Sequence, residues 1–152
     1  MLLPPDTVFS VANTVALTGW LALLLSPAGS RRAPWARRYA GRVLPLALAG
    51  LYVAMIATHW RGEGGFGSLA EVRALFEVPG ALAAGWIHYL AFDLFVGAWI
   101  AERAGELSLP HAVVVPLLLL TFLFGPAGLL AFVLLRALLR PASLQFRSGS
   151  AA

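Results

Sequence analysis

The chain has 152 residues, of which 60% are hydrophobic and only 12% are charged, and this balance leaves too little polar surface to coat a soluble globular domain. Cysteine is absent, which excludes a disulfide framework, a thiolate metal site and catalysis by a thiol. The formal charge of +4 comes from Arg without Lys, and the Arg residues lie between apolar runs, so we expect contact with membrane lipid head groups and no nucleic-acid partner.

The first apolar segment, about residues 8–25, is just long enough to cross a hydrocarbon core about 30 Å thick. Asp6 precedes it and no Arg does, whereas a secretory signal needs a basic start, so we expect a retained helix. The loop that follows holds five Arg residues between positions 31 and 42, and this charge predicts a cytoplasmic location. The second span is predicted over about residues 43–60.

Residues 61–80 are too polar to cross the bilayer. Within them, Ser68 and Glu71 have the spacing of a capping box, which marks the start of a helix. Apolar and charged side chains then fall on opposite sides, so the sequence predicts a short helix over about residues 68–76 that lies flat at the interface.

Two further spans are predicted, over about residues 81–101 and 111–139. The last is longer than one crossing needs, and we expect Pro116 and Pro126 to kink it. Together these segments predict an all-α polytopic membrane protein, a four-transmembrane-helix bundle with one short interfacial helix.

Residues 1–147 would form this single transmembrane domain, and residues 148–152 would be a flexible tail or an expression remnant. With the Arg-rich loop inside, four spans would place both termini outside. Three later Arg residues would then lie on the outer side, against the positive-inside rule: Arg136, Arg140 and Arg147.

Asp93 falls near the middle of the third span, where an ionisable side chain costs roughly 2.5 to 3.5 kcal/mol and persists only where something compensates it. His88 precedes it by about 140° around the helix axis, so the two side chains face adjacent walls. Asn13 and Thr121 are predicted at similar depth and are the nearest candidate partners. The aromatic rings that frame this region belong to Trp86, Tyr89 and Phe92. A structural role, in which Asp93 only joins helices by hydrogen bonds, stays open.

Several classes of membrane enzyme and transporter are excluded by residue counts. Three His residues cannot furnish the ligands of a histidine-box di-iron oxygenase, and no zinc motif occurs, so no metal site is predicted. A small proton-coupled exporter carries an acid in the middle of its first helix, which is absent here. His59 and His111 lie at predicted span ends, where contact with head groups is the expected role.

Three blocks of sequence carry a family resemblance: GSL at 67–69 with LF at 75–76 and Pro79, GWIHYLAFDLFVG at 85–97, and PLLLLTFLFGPAGL at 116–129. In these blocks the chain resembles the abscisic-acid-deficient-four family, the family of plant neoxanthin synthase. The blocks lie within residues 67–129 and their combination is specific, while the first span and the Arg-rich loop match the family only in hydrophobic character.

The resemblance implies a connection with carotenoids. Plant members are needed to convert violaxanthin to neoxanthin, a net isomerisation that opens an epoxide and forms an allene, and it implies no redox cofactor. An acid and a base in a dry slot would perform such a step. By position, a protonated Asp93 would be the acid and a neutral His88 the base, or the reverse, and the substrate-binding residues would be Asn13, Trp86, Tyr89, Phe92 and Thr121.

Two hypotheses follow from the resemblance, a carotenoid isomerase and a non-catalytic carotenoid-binding or scaffold protein. The all-Arg basic usage is typical of a GC-rich genome, so we expect a bacterial member in the inner (cytoplasmic) membrane, with a substrate that differs from the plant one. The expected partners are membrane lipids and a carotenoid or other polyene or isoprenoid. Self-association into a homo-oligomer is left open.

Overall fold

The computed structural model describes residues 4–60 and 64–139, and every regular element within these ranges is helical. The predicted tail at 148–152 lies outside the described residues. In chain order the elements are α1 (Pro5–Leu24), α2 (Ala33–Arg38), a π-helical segment (Tyr39–Val43), α3 (Leu44–His59), α4 (Leu69–Glu77), α5 (Pro79–Glu106), α6 (His111–Phe124) and α7 (Pro126–Leu139).

Three helices are long and apolar enough to cross a membrane: α1, the continuous 27-residue helix Ala33–His59, and α5. The predicted span over residues 111–139 is instead divided into α6 and α7, each of 14 residues. At 1.5 Å per residue, each of these helices is about 21 Å long, short of the roughly 30 Å that a full crossing needs. The all-helical class is confirmed, whereas the four-span bundle is not.

Helix α5 is the centre of the fold and is contacted by every other long helix. Small residues allow these close approaches: a Cβ at Gly97 would lie 2.5 Å from the Trp20 ring, and one at Gly41 would lie 2.8 Å from the Ala98 methyl group. Such small-residue notches are how helices pack tightly in lipid, where burial of apolar surface adds little. The buried side chain of Leu94 packs against a third notch, at Gly19 of α1.

The short helix α4 begins at the predicted capping box. The Ser68 hydroxyl accepts a hydrogen bond from the Glu71 N–H at 3.2 Å, while the Glu71 carboxylate accepts one from the Gly67 N–H at 3.0 Å. Phe76 then fills the notch at Gly85 on α5. These contacts fix α4 to the Pro79 end of α5.

The π-helical segment interrupts the second long helix at Tyr39–Val43. The Leu44 N–H donates to the carbonyl of Tyr39, five residues earlier. Pro45 explains the change of register, because it has no N–H to give to the carbonyl of Gly41, four residues before it. The extra residue per turn rotates the arginine-bearing part of the helix relative to α3.

The chain reverses direction between α6 and α7. Gly125 adopts φ +40°, in the left-handed region, and Pro126 begins α7. A Cβ at Gly128 would lie 2.6 Å from the Thr121 Cα, so α7 folds back along α6 instead of continuing it. Pro116, where a kink was expected, lies inside α6 without ending it.

This α6–α7 hairpin enters and leaves at the same end of the bundle. At its start the His111 Nε2 lies 2.8 Å from the Leu24 carbonyl, and at its tip Gly125 reaches Asp93 in the middle of α5. On the way back Phe132 packs against Trp99, nearer the Glu106 end of α5, with ring centroids 5.5 Å apart. The hairpin therefore does not cross to the far end of α5.

For Arg136, the hairpin removes the charge conflict of a four-span arrangement, whereas Arg140 and Arg147 lie outside the described residues. Because α7 returns toward the end where α1 finishes, Arg136 lies at the same end as the Arg-rich segment 31–42. Pro5 and Leu139 consequently lie at opposite ends of the bundle. The expectation that both termini lie outside counted residues 111–139 as one full crossing, and the described part of the chain does not show such a crossing.

Candidate functional site

Asp93 lies near the middle of α5 and faces the tip of the α6–α7 hairpin. A Cβ at Gly125 would lie 2.6 Å from the Asp93 Oδ1 and 3.0 Å from Oδ2, so the carboxylate occupies the space that a larger residue at position 125 would need. Oδ2 is buried and has no hydrogen-bond partner among the residues that the structure describes. A polar atom left unpartnered in such surroundings is costly unless a ligand or proton serves it.

A row of polar and aromatic side chains leads from Asp93 toward the Pro79 end of α5. Tyr89 lies one turn before Asp93 in α5, on the same side of the helix. The Trp86 ring packs on Tyr89 with centroids 5.2 Å apart, and its Nε1 donates to the Asn13 Oδ1 at 3.1 Å. We call these four residues, Asn13, Trp86, Tyr89 and Asp93, the Asp93 strip. It runs between α1 and α5 and ends at the hairpin tip.

The Asp93 strip includes three of the residues proposed from sequence to bind substrate, but with partners that the sequence did not predict. Asn13 bonds to Trp86 and not to Asp93, and its Nδ2 also donates to the Phe9 carbonyl at 2.8 Å. Phe9, which sequence reasoning missed, packs on Trp86 at 5.6 Å between centroids. Trp86 stays 39% exposed, so the strip is open at its side to the surrounding lipid.

Thr121 is fully buried inside the hairpin. Its hydroxyl donates to the Leu117 carbonyl at 2.8 Å, and Gly128 packs directly against it. Its own carbonyl accepts the Gly125 N–H at 2.7 Å, immediately behind the tip. Thr121 therefore shapes the hairpin behind Asp93, in place of facing the strip as the sequence suggested.

His88 lies on a different face of α5 from Asp93. Its exposed ring stacks on Phe92 with centroids 4.6 Å apart and meets Tyr52 of α3 edge-on at 5.6 Å. The structure thus does not bring His88 and Phe92 to the Asp93 strip. This agrees with the wide angle between positions 88 and 93 on a helix, and it leaves the two candidate catalytic side chains facing different neighbours.

The remaining histidines have structural contacts. His59 packs on Gly80 and lies 2.8 Å from the Thr58 hydroxyl through its Nδ1, and His111 holds the start of α6 against α1. Among the residues that the structure describes, no three His, Asp or Glu side chains form a group able to hold a metal ion.

Gly125 is a second residue of this site, besides Phe9, that sequence reasoning missed. The Gly125-Pro126 pair was a visible signal, since Gly followed by Pro is typical of a helix end. We interpreted Pro126 as a kink in one long helix, because the apolar run continues on both sides. The contact of this turn with Asp93 joins residues far apart in sequence, and no local pattern predicts it.

Comparison with known proteins places residues 7–132 in a match to one family model, described as ABA DEFICIENT 4-like. All three sequence blocks that carry the resemblance fall within this range, which confirms it. Neither the curated proteins nor the solved structures gave a match.

Proposed function

We propose, from the premise that this chain belongs to the ABA DEFICIENT 4-like family, that it has a neoxanthin synthase-like role as a membrane-embedded isomerase of a carotenoid or related polyene. The observation that carries the proposal is the Asp93 carboxylate, which has one buried and unpartnered oxygen in the middle of α5. Asp93 also belongs to the block of sequence that most resembles the family.

The surroundings of Asp93 suit a polyene. Trp86, Tyr89 and Phe9 offer flat aromatic walls along the strip, and the hairpin tip limits the access of water from the Arg-rich end. A C40 polyene is about as long as the hydrocarbon core is thick, so one end group would reach this depth while the chain lies along α1 and α5. Access from lipid beside the half-exposed Trp86 ring avoids passage through water.

The proposed chemistry is a proton transfer without redox change. A protonated Asp93 donates its proton to the epoxide oxygen, the carbon–oxygen bond opens, and a base removes a proton from carbon as the allene forms. One proton is given and one is taken, so product and substrate are isomers. Tyr89 would orient the carboxyl group, and the aromatic walls would hold the polyene at the correct height.

The base in this scheme is open to assignment. The sequence suggests His88 as the base. The same two residues could have the reverse roles, with His88 as the acid and Asp93 as the base. Because its ring faces Tyr52 and Phe92, a substrate at the strip would contact Asp93 and not His88 directly. Comparison of variants at the two positions separates these assignments.

The test is conversion by the purified protein. The full chain in detergent is incubated with an epoxy carotenoid such as violaxanthin, and the extracted pigments are separated by chromatography. Formation of an allenic isomer supports the proposal. A pigment that is bound and recovered unchanged, across several epoxy carotenoids, contradicts an isomerase and favours the non-catalytic carotenoid-binding alternative.

A further inference from the structure

A second region of interest lies near the Glu106 end of α5, on the side away from Asp93. Here a cavity of about 1070 Å³ opens between α2, the π-helical segment and the last turns of α5. Glu102, on its lining, is about 180° around the helix axis from Asp93. The cavity is therefore separate from the Asp93 strip, with the thickness of α5 between them.

Positive charge dominates this cavity. Three guanidinium groups line it, those of Arg37, Arg38 and Arg42. Within the ranges 4–60 and 64–139, none of the three forms an ion pair, because the ion pairs found there are Arg73–Glu77 and Arg103–Glu106.

The carboxylates on the lining do not balance these groups. Glu106 is already held by Arg103, whose Nη1 lies 2.9 Å and 2.8 Å from its two oxygens, so Glu102 is the carboxylate left to offset three arginines. An anion in the cavity would meet several unpaired guanidinium groups at once.

The π-helical segment explains why the arginines share one face. Arg37 and Arg42 are five positions apart, which in a regular α-helix would separate them by about 140° around the axis, and the i→i+5 register of the π-turn between them brings them closer to one face. The contact of Gly41 with Ala98 holds this part of the helix against α5. Irregular turns of this kind are found frequently at functional sites, and this one forms a wall of the cavity.

The other end of the cavity is apolar and aromatic. Phe95, 51% exposed, and Trp99 line it on the part of α5 that leads toward the bilayer centre. Phe132 of α7 supports the Trp99 ring from the side. The cavity thus passes from arginine at the membrane surface to aromatic rings at greater depth, which is the polarity of an amphiphile.

We propose that this cavity binds the phosphate-bearing head group of a membrane amphiphile, with Arg37, Arg38 and Arg42 on the phosphate and Phe95 and Trp99 against the hydrocarbon chain. Guanidinium groups match phosphate oxygens with paired hydrogen bonds. An anionic phospholipid and a prenyl diphosphate share this chemistry. The site is distinct from the proposed polyene site, so either proposal can fail without the other.

Binding is measured on the full chain in uncharged detergent by native mass spectrometry, with two matched pairs of probes. Phosphatidylglycerol is compared with diacylglycerol of the same acyl chains, and farnesyl diphosphate with farnesol. The phosphate-bearing member of at least one pair is expected to bind at least about tenfold more tightly than its partner. The pair that shows the larger preference identifies the source of the phosphate. Equal binding within both pairs overturns the proposal.

The double variant Arg38→Gln/Arg42→Gln tests the site against general surface charge. It is expected to lose at least about tenfold in affinity for the phosphate probe, since charge-assisted hydrogen bonds are removed. Arg31→Gln/Arg32→Gln is the matched control, because it removes the same charge from the same Arg-rich segment, at positions that do not line the cavity. An equal loss in the control overturns the proposal.

Two further variants keep the proposal testable if the Gln pair does not fold. Arg38→Lys/Arg42→Lys keeps the charge without the planar fork and is expected to bind with an intermediate affinity. Phe95→Ala is expected to lower the affinity of the protein for the phosphate-bearing amphiphile by several-fold. The affinity of the same variant for inorganic phosphate is expected to stay unchanged. Unaltered binding of the amphiphile by both variants contradicts the proposed site.

Discussion

The two faces of α5 carry charged groups of opposite sign in different surroundings. On one face a single carboxylate, Asp93, lies at mid-helix with one oxygen unpartnered, against a glycine turn and a row of aromatic rings. On the other, nearer the end of the helix, three arginines line an open cavity without ion pairs among the described residues. If these groups met, they would neutralise one another. Their separation by depth and by the width of a helix keeps each available to a ligand.

The comparison also shows that the energetic cost of an unpaired charge depends on its depth in the membrane. Arginines near the membrane surface reach water and head groups, so they cost little when empty. A carboxylate near the bilayer centre reaches neither water nor head groups, so it needs a proton, a ligand or a hydrogen-bonding side chain beside it. The Asp93 face is accordingly closed by the α6–α7 hairpin, while the arginine face is left open.

The sidedness of the hairpin gives an all-or-none prediction that sharpens the comparison. A reporter after Leu139 and one inserted within the 25–32 loop are expected on the same, cytoplasmic side, and one near Gly64 on the other, because the hairpin returns to the Arg-rich end. Cysteine labelling of single introduced cysteines is a clean measurement, since the chain has none of its own. If cysteines after Leu139 and near Gly64 were labelled from the same side, residues 111–139 would have to cross the membrane fully, and the hairpin arrangement would be wrong.

Asp93→Asn is expected to have the largest effect on activity. The amide keeps the shape but cannot donate the proton, so conversion should fall by about 10²- to 10⁴-fold while the protein still inserts and folds. Conversion rate and melting temperature are measured together for Asp93→Asn and Asp93→Leu. Near-normal conversion by Asp93→Asn, with a lower melting temperature for Asp93→Leu, would make the residue structural.

Gly125→Ala tests whether the turn at the hairpin tip holds the hairpin against Asp93. The new Cβ would clash with the Asp93 carboxylate and sit on a backbone with φ +40°, so a loss of about 1 to 3 kcal/mol in stability is expected. Gly50→Ala is the matched control, because nothing lies within 4 Å of its Cβ position in α3. Melting of both variants in detergent measures the difference. An equal response would mean that the turn does not fix the hairpin.

His88→Ala is expected to have the smallest effect. Its ring stacks on Phe92 and Tyr52 away from the strip, so a several-fold loss of conversion is expected, from lost packing of roughly 1 kcal/mol. Phe92→Ala, which removes the same stack without a titratable ring, is the control. Should His88→Ala lose as much as Asp93→Asn while Phe92→Ala does not, the two residues act as an acid–base pair.

Much of the fold was predictable because hydrophobic periodicity and length report on helices that cross lipid. The apolar parts of the three long helices follow from runs of apolar residues, and α4 follows from Ser68 and Glu71. Residues 33–42, which the sequence analysis assigns to a loop, are helical in the structure. The hairpin could not be predicted from hydropathy, because hydropathy gives only the length of the apolar run at 111–139. It contains no information on the direction that the chain takes after Gly125.

The candidate site was predictable in part for the same reason. Asp93 stands out because a carboxylate in an apolar span is rare, and Tyr89 and Trp86 share its face by helical spacing. The contact with Gly125 and the role of Thr121 inside the hairpin depend on tertiary packing. The arginine cavity depends on the π-helical register around Gly41, which rotates side chains that sequence alone leaves unplaced.

The turn at Gly125 also has a consequence for how the protein assembles. A chain reversal at half depth ends one helix and begins another at a level where lipid offers no hydrogen-bond partner to the backbone groups at the helix ends. The tip is therefore stable only once α1 and α5 have come together to receive it. We expect the hairpin to dock after the three long helices are inserted, and its amides to exchange hydrogen before those of α5 when the folded protein opens.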